Sequence, residues 1–280
     1  MFQFFYALAV VFSWGSAIIF DKKALEKLNP FNALSVRYFF SFILVIISTL
    51  VFSEVRFPSI EFLPYILFTC LIGSAAIIFF FKAVKETDAS LATAIAKNSF
   101  LVTVAISIIF LNETISLIQF IAVLLIVSSI FFLSIERKEN KFVLGKGVVF
   151  ALLTLVGWGA YFAMIKPIVL ELNPFNAALF TESIIFFMIL VYSVGTKKEF
   201  KLNERKSNIF LFANAVLLII GLLSYNYSIT LIGASLTAII VAPSPILTSV
   251  LARIFLKERL SKTKYIAIIV SITGLVLLFI

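Results

Sequence analysis

The sequence predicts an all-α polytopic membrane protein with ten transmembrane helices, arranged as two inverted five-helix repeats. Three observations carry this. The chain contains one unit twice, its composition is too apolar for a water-soluble domain, and corresponding loops of the two units carry opposite charge bias.

The duplication is anchored by Leu28-Asn29-Pro30-Phe31-Asn32-Ala33, which recurs letter for letter as Leu172-Asn173-Pro174-Phe175-Asn176-Ala177, 144 residues later. At the same offset Ala7-Leu8 meets Ala151-Leu152, Trp14-Gly15 meets Trp158-Gly159, and Lys22 meets Lys166. After the extra Ala178 the offset becomes 145. Ala89-Ser90-Leu91 then pairs with Ala234-Ser235-Leu236, Ser99 with Ser244, Thr103 with Thr248, Ile109-Phe110-Leu111 with Ile254-Phe255-Leu256, and Glu113 with Glu258. Six consecutive identities that include Asn, Pro and Phe are not a chance product of apolar low complexity. The chain divides into repeats over 1–140 and 141–280.

Hydrophobic residues make up 62% of the chain and charged residues 13%, against about 45–50% and about 25% in soluble domains. Mean hydropathy is +1.15. A chain of 280 residues with this composition belongs in a bilayer. Its net charge of +9 does not mark a nucleic-acid-binding face, because the basic residues fall in short loops between apolar runs. The single cysteine, Cys70, excludes an intrachain disulfide, and the absence of histidine argues against metal chemistry. The first apolar run belongs to the duplicated unit, so it reads as a retained helix and not a cleaved leader.

A span needs about 20 apolar residues. Such runs lie near 3–20, 31–52, 62–81, 88–111 and 116–135, then near 147–165, 174–195, 208–230, 233–256 and 265–280. Pro30 and Pro174 open spans 2 and 7, where a missing N–H costs nothing, and Asn29 and Asn173 are the matching N-cap residues. The charged stretch Glu136–Lys146 links the repeats.

Five spans per repeat is an odd number, so the repeats must cross the membrane in opposite senses. The loops agree. Lys22, Lys23 and Lys27 follow span 1, but only Lys166 follows span 6. Arg56 alone follows span 2, whereas Lys197, Lys198, Lys201, Arg205 and Lys206 follow span 7. No basic residue follows span 4, whereas Lys257, Arg259, Lys262 and Lys264 follow span 9. With Lys82, Lys85, Arg137, Lys138, Lys141 and Lys146, one side holds 18 basic residues and the other 2. The positive-inside rule makes the first side cytoplasmic and puts both termini outside.

The duplicated five-helix unit, the Trp-Gly in the first helix of each repeat and the Ala-Ser-Leu…Leu-x-Glu pattern over spans 4 and 9 resemble the drug/metabolite transporter superfamily, and its EamA-type branch in particular. The resemblance extends over essentially the whole chain. It implies a ten-helix secondary transporter of small metabolites, often an exporter, with a substrate cavity between the halves lined by spans 1, 3, 4, 6, 8 and 9. Two features depart from the pattern. Family members usually keep both termini in the cytoplasm, and span 4 here carries Lys97-Asn98 where many relatives have apolar residues or proline.

The polar groups at depth are the candidates for function. Lys97 lies about nine residues into span 4, where a lone ammonium costs at least about 2.5–3.5 kcal/mol. It should face a cavity beside Asn98, on a stripe with Ser90, Thr93 or Ala94, and Leu101. Two readings stand: an anchor for a substrate carboxylate or phosphate, or an ion pair with Glu182, the other mid-depth charge. Arg37, the repeat counterpart of Glu182, is close enough to its span end to snorkel. Opposite Lys97 in the second repeat stands Ala242, followed by Pro243-Ser244-Pro245. Prolines there predict a kinked span 9 that could serve as a gate, with a plain packing kink as the alternative. Ser244 between the prolines is a candidate for substrate contact, and Trp14, Trp158, Tyr161, Tyr225 and Asn226 are further candidates for the cavity wall, or else lipid-facing and core groups. Glu113 and Glu258 sit at span ends, where a carboxylate favours the N-terminal end of the next helix.

The expectation is therefore a secondary-active transporter in the inner (plasma) membrane. It would move an amino acid or another small carboxylate-bearing compound outward by alternating access. The alternative cargo is an organic cation held by Glu182 and the cavity aromatics. No cofactor or nucleic acid is expected. A proton or sodium ion could couple transport, and a monomer is expected, with a homodimer as the alternative. An enzyme would want clustered acid, base or metal groups, which the sequence lacks.

Overall fold

A computed structural model describes residues 2–86, 92, 95–134, 145–196, 202, 204–255, 257 and 262–278. Among them there is helix and turn but no strand. A 3-10 turn at Phe2–Phe4 leads into α1 (Phe5–Leu25), followed by α2 (Pro30–Phe52) and α3 (Leu63–Glu86). Then come α4 (Ser99–Phe110), α5 (Leu117–Ser134), α6 (Lys146–Leu172) and α7 (Pro174–Gly195). The chain continues through α8 (Arg205–Val241), α9 (Ser244–Phe255) and α10 (Lys262–Leu277). Six described helices are long and apolar enough to cross a membrane: Phe5–Leu25, Pro30–Phe52, Leu63–Ala83, Lys146–Leu172, Pro174–Gly195 and Arg205–Val241. Four shorter apolar helical stretches, Ile95–Phe110 (with a turn residue at Asn98), Leu117–Ser129, Ser244–Phe255 and Ile268–Leu277, fall where the sequence places spans 4, 5, 9 and 10.

The duplicated motif starts a helix in both copies. Asn29 Oδ1 accepts from Phe31 N at 3.0 Å, and Pro30 takes the first helical position. Asn173 Oδ1 accepts from Phe175 N at 3.0 Å and Asn176 N at 3.1 Å, ahead of Pro174. Asn173 alone separates α6 from α7, and its φ of 76° is the strain of so short a turn. Asn176, a motif residue the sequence left without a role, is fully buried. It accepts from Arg56 N at 3.0 Å and donates to Glu54 O at 2.9 Å, which ties the segment after α2 to the start of α7.

α8 runs for 37 residues, about 55 Å at 1.5 Å per residue, too long for one crossing. Gly233, at φ 80° and ψ 170°, divides it into the predicted end of span 8 and start of span 9. A side chain is strained at that φ.

The chain forms two compact units, Met1–Ser74 with Met164–Ile232 and Ala75–Ala163 with Gly233–Ile280. They are not the two sequence repeats: each takes helices from both. In the first unit α2 packs against its own repeat counterpart, α7. Phe31 near the start of α2 meets Tyr192 near the end of α7 (ring centroids 6.2 Å), and Ser35 Oγ lies 3.1 Å from Ser193 Oγ. Phe42 stacks on Phe186 at 4.9 Å in the middle, and Phe52 meets Phe175 at 6.0 Å at the other end. Homologous helices therefore run antiparallel. In lipid such a pair is held by ring packing and interhelical hydrogen bonds, each worth about 0.6 kcal/mol and at most about 1–2 kcal/mol. In the second unit α5 packs against its counterpart α10, with Gly274 against Ala122 O and Leu125. Large apolar side chains left exposed, such as Phe52, Phe110, Leu117 and Val191, suit a lipid-facing surface.

Candidate functional site

The two units place the chemistry-bearing residues differently. In the second unit the break between helical segments that the prolines predict in span 9 is present, and span 4 has one too. Lys97 ends a helical segment that includes residues 95–97, Asn98 is a turn residue at φ −78° and ψ 6°, and α4 starts at Ser99. In the second repeat Ala242 and Pro243 form the turn and α9 starts at Ser244. Asn98 and Pro243 correspond at the 145-residue offset, and so do their bonds. Leu101 N donates to Asn98 O at 3.0 Å, and Ile246 N to Pro243 O at 2.8 Å. Thr103 Oγ1 donates to Ser99 O at 3.4 Å, and Thr248 Oγ1 to Ser244 O at 3.2 Å.

The sequence missed the break in span 4 because Asn98 needs no special conformation to make it. Pro245 also differs from expectation. It lies in the first turn of α9, where no N–H is required, so Pro243 in the turn interrupts the span and Pro245 costs no bond. Each break opens a new helix, and a helix start carries a partial positive charge. Lys97 and Asn98, both half-buried, adjoin the α4 start, and Ser244, buried, opens α9.

α6 fixes the α4 start from one side. Gly159 lies so close that a Cβ there would overlap Val102 and the Ser99 carbonyl oxygen, and Thr103 Oγ1 donates to Gly159 O at 3.0 Å. The adjacent Trp158 packs against Phe80 of α3 at 5.0 Å. Tyr161 is buried, edge-on to Phe162. Glu113 caps a helix start, though of span 9 and not of the helix that follows it. Its two carboxylate oxygens accept from Ala234 N and Ser235 N, both at 2.7 Å, directly after the Gly233 turn. Glu258, Ser90, Thr93 and Ala94 lie outside the described residues.

In the first unit Trp14 stacks on Tyr225 at 5.5 Å, with Gly221 beneath the indole. This repeats the Trp158–Phe80 pair, since Trp14 corresponds to Trp158 and Tyr225 to Phe80. In each pair the tryptophan comes from one repeat and its partner ring from the other. Asn226 is fully buried and donates to Pro174 O at 3.0 Å, which makes it a tie between α8 and the start of α7. Arg37 pairs with Asp21, near the end of α1. Its guanidinium lies 3.7 Å from Asp21 and over the Tyr38 ring at 4.9 Å, within electrostatic reach of Glu182. Lys97, Asn98, Trp158, Tyr161, Pro243, Ser244 and Pro245 thus belong to one unit, and Trp14, Glu182, Tyr225 and Asn226 to the other.

The description of the EamA-like transporter family matches the chain twice, over residues 1–135 and 145–280. The chain belongs to the EamA-like transporter family. EamA-like proteins are membrane transporters, and the paired helix breaks and Trp–aromatic pairs of this chain lie within that two-repeat architecture. A solved structure described as "Crystal structure of protein" is similar over 98% of this chain and 95% of its own, at TM-score 0.83 and 14% identity, a likeness of fold alone. No curated protein matches the chain. The Asp21–Arg37–Glu182 neighbourhood, the Gly159 contact and the Glu113 cap were not read from the sequence. The repeat offset, which aligns Arg37 with Glu182 and Phe80 with Tyr225, was the signal available for two of the pairings.

Proposed function

We propose that this EamA-like protein is a ten-span secondary-active transporter of inverted five-helix repeats, exporting an amino acid or similar small carboxylate-bearing metabolite across the inner (plasma) membrane by alternating access. The observation that carries the proposal is the pair of equivalent breaks in spans 4 and 9, one of them adjoining Lys97. Irregular backbone at membrane depth is tolerated against protein or a wet cavity, and helix starts there present N–H groups and positive partial charge to an anionic ligand. Lys97 adds a full charge and Asn98 an amide, so the site suits a carboxylate better than a cation. The antiparallel packing of α2 on its counterpart α7 supports inverted repeats.

In this reading Lys97, Asn98 and Ser244 hold the substrate, and Trp158 and Tyr161 wall the site. The Pro243 turn lets span 9 change shape while the substrate passes from one side to the other. A proton or sodium ion supplies the coupling, and the transporter works as a monomer. Glu182, already in reach of Arg37, is a less apt anchor for an organic cation.

Counterflow in proteoliposomes tests the proposal. Substrate trapped inside should drive uptake of labelled substrate against its gradient, which a passive pore cannot do. Leakage with no counterflow for any carboxylate-bearing metabolite would overturn it.

A further inference from the structure

We propose that the groove where the end of α1 meets the start of α8 binds the phosphate of an anionic membrane phospholipid. It is an open groove lined by Lys23, Glu26, Lys27, Lys206, Ser207 and Phe210. These residues come from two segments more than 170 positions apart in sequence, the end of α1 with the turn after it and the first turns of α8, which the fold brings together in the first unit. Three ammonium groups face a single carboxylate, Glu26, so the groove carries an excess of positive charge. Lys23 is half-buried and held at the wall, with Nζ 5.5 Å from the centre of the Phe210 ring. Lys27 and Lys206 are exposed and able to close on a ligand. Ser207 is buried in the first turn of α8, where backbone N–H groups have no intrahelical acceptor.

Phosphate chemistry fits this set: point charges from lysine, a hydroxyl and a helix start. The surroundings favour a lipid over a free anion. α1 and α8 are both candidate spans, so their ends at this groove lie at headgroup level. Leu25, Ile209 and Phe212, within a few residues of the groove, are exposed apolar side chains. They offer contact to acyl chains that a free phosphate would leave unused. Basic grooves between transmembrane helices are the physical counterpart of anionic headgroups in the leaflet they face.

The test uses the full chain purified in mild detergent, titrated with phosphatidylglycerol, phosphatidylcholine or inorganic phosphate. Lipid retention is read by native mass spectrometry and stability by thermal unfolding. Phosphatidylglycerol should be retained and raise the melting temperature, whereas phosphatidylcholine and inorganic phosphate should not. Lys27→Gln/Lys206→Gln, at two exposed positions, should keep the lipid-free melting temperature and weaken phosphatidylglycerol binding about tenfold or more. Lys146→Gln/Lys257→Gln, which removes equal charge elsewhere, should bind it as the parent does. Equal responses to both lipids, or to inorganic phosphate, would overturn the assignment. So would an undiminished response in the groove variant or an equal loss in the control. Should the double variant not fold, Lys206→Gln alone carries the same expectation at reduced size.

Discussion

Lys97 is a charge placed where the surrounding sequence is apolar, and it adjoins the start of α4. Replacing it with alanine is expected to leave the protein folded and weaken substrate binding by about 1.5–3 kcal/mol, the value of a charge-assisted hydrogen bond. Isothermal titration with a transported carboxylate checks this. Lys97→Arg should bind poorly too, since a planar fork does not replace a compact ammonium in a fitted site. If Glu182→Gln in the Lys97→Ala background restores stability and binding, Lys97 is an ion-pair residue. Gly159 is a second residue-scale test, because a side chain there meets the Ser99 carbonyl and Val102. Gly159→Val should destabilise by about 1–3 kcal/mol in thermal unfolding, whereas Gly195→Ala, with open space around its Cβ position, should be nearly silent. At this scale the sequence was partly legible. Trp14, Trp158 and Lys97 stood out because rare residue types at depth are conspicuous. Gly159 as a contact, and Asp21 as the partner of Arg37, depend on which helices meet, and no periodicity in one chain reports that.

The helix ends were legible where local chemistry sets them. Asn-Pro at both copies of the motif specifies a cap and a first turn without help from the rest of the protein. The break after Lys97 was not legible, because Asn98 in a turn conformation differs little from Asn in a helix. Only its equivalence to Pro243 exposes it. Glu113 was read as serving its own neighbouring helix, but tertiary packing delivers it to Ala234 and Ser235 instead. Glu113→Ala should therefore loosen the start of span 9 by about 2 kcal/mol, seen as faster amide exchange after residue 233. Amide exchange near α5 should change little. At the second break, Pro243→Ala/Pro245→Ala should leave expression near normal yet slow counterflow exchange several-fold. Pro243→Ala should account for the effect, since Pro245 occupies a position that needs no N–H. Unchanged exchange in the double variant would reduce the break to packing.

For the whole molecule, the duplication and composition were readable because they are properties of many residues at once. The interleaving was not, since each compact unit takes helices from both repeats and the sequence marks only the repeats. Orientation remains an expectation from charge, and the convergence of Lys23, Lys27 and Lys206 on one groove fits it. In a Cys70→Ala background, Lys141→Cys should be protected from an impermeant maleimide on intact cells and Ser59→Cys labelled. The reverse pattern would put both termini inside. The central claim, a carboxylate carried beside Lys97, is tested most directly by thermal shift of the purified protein. The panel should contain small carboxylates, each paired with its amide or methyl ester, and organic cations. The account predicts that a carboxylate raises the melting temperature while its uncharged analogue does not, and that Lys97→Ala abolishes the shift without lowering the ligand-free melting temperature. A shift produced by organic cations, retained in Lys97→Ala and lost in Glu182→Gln, would contradict it.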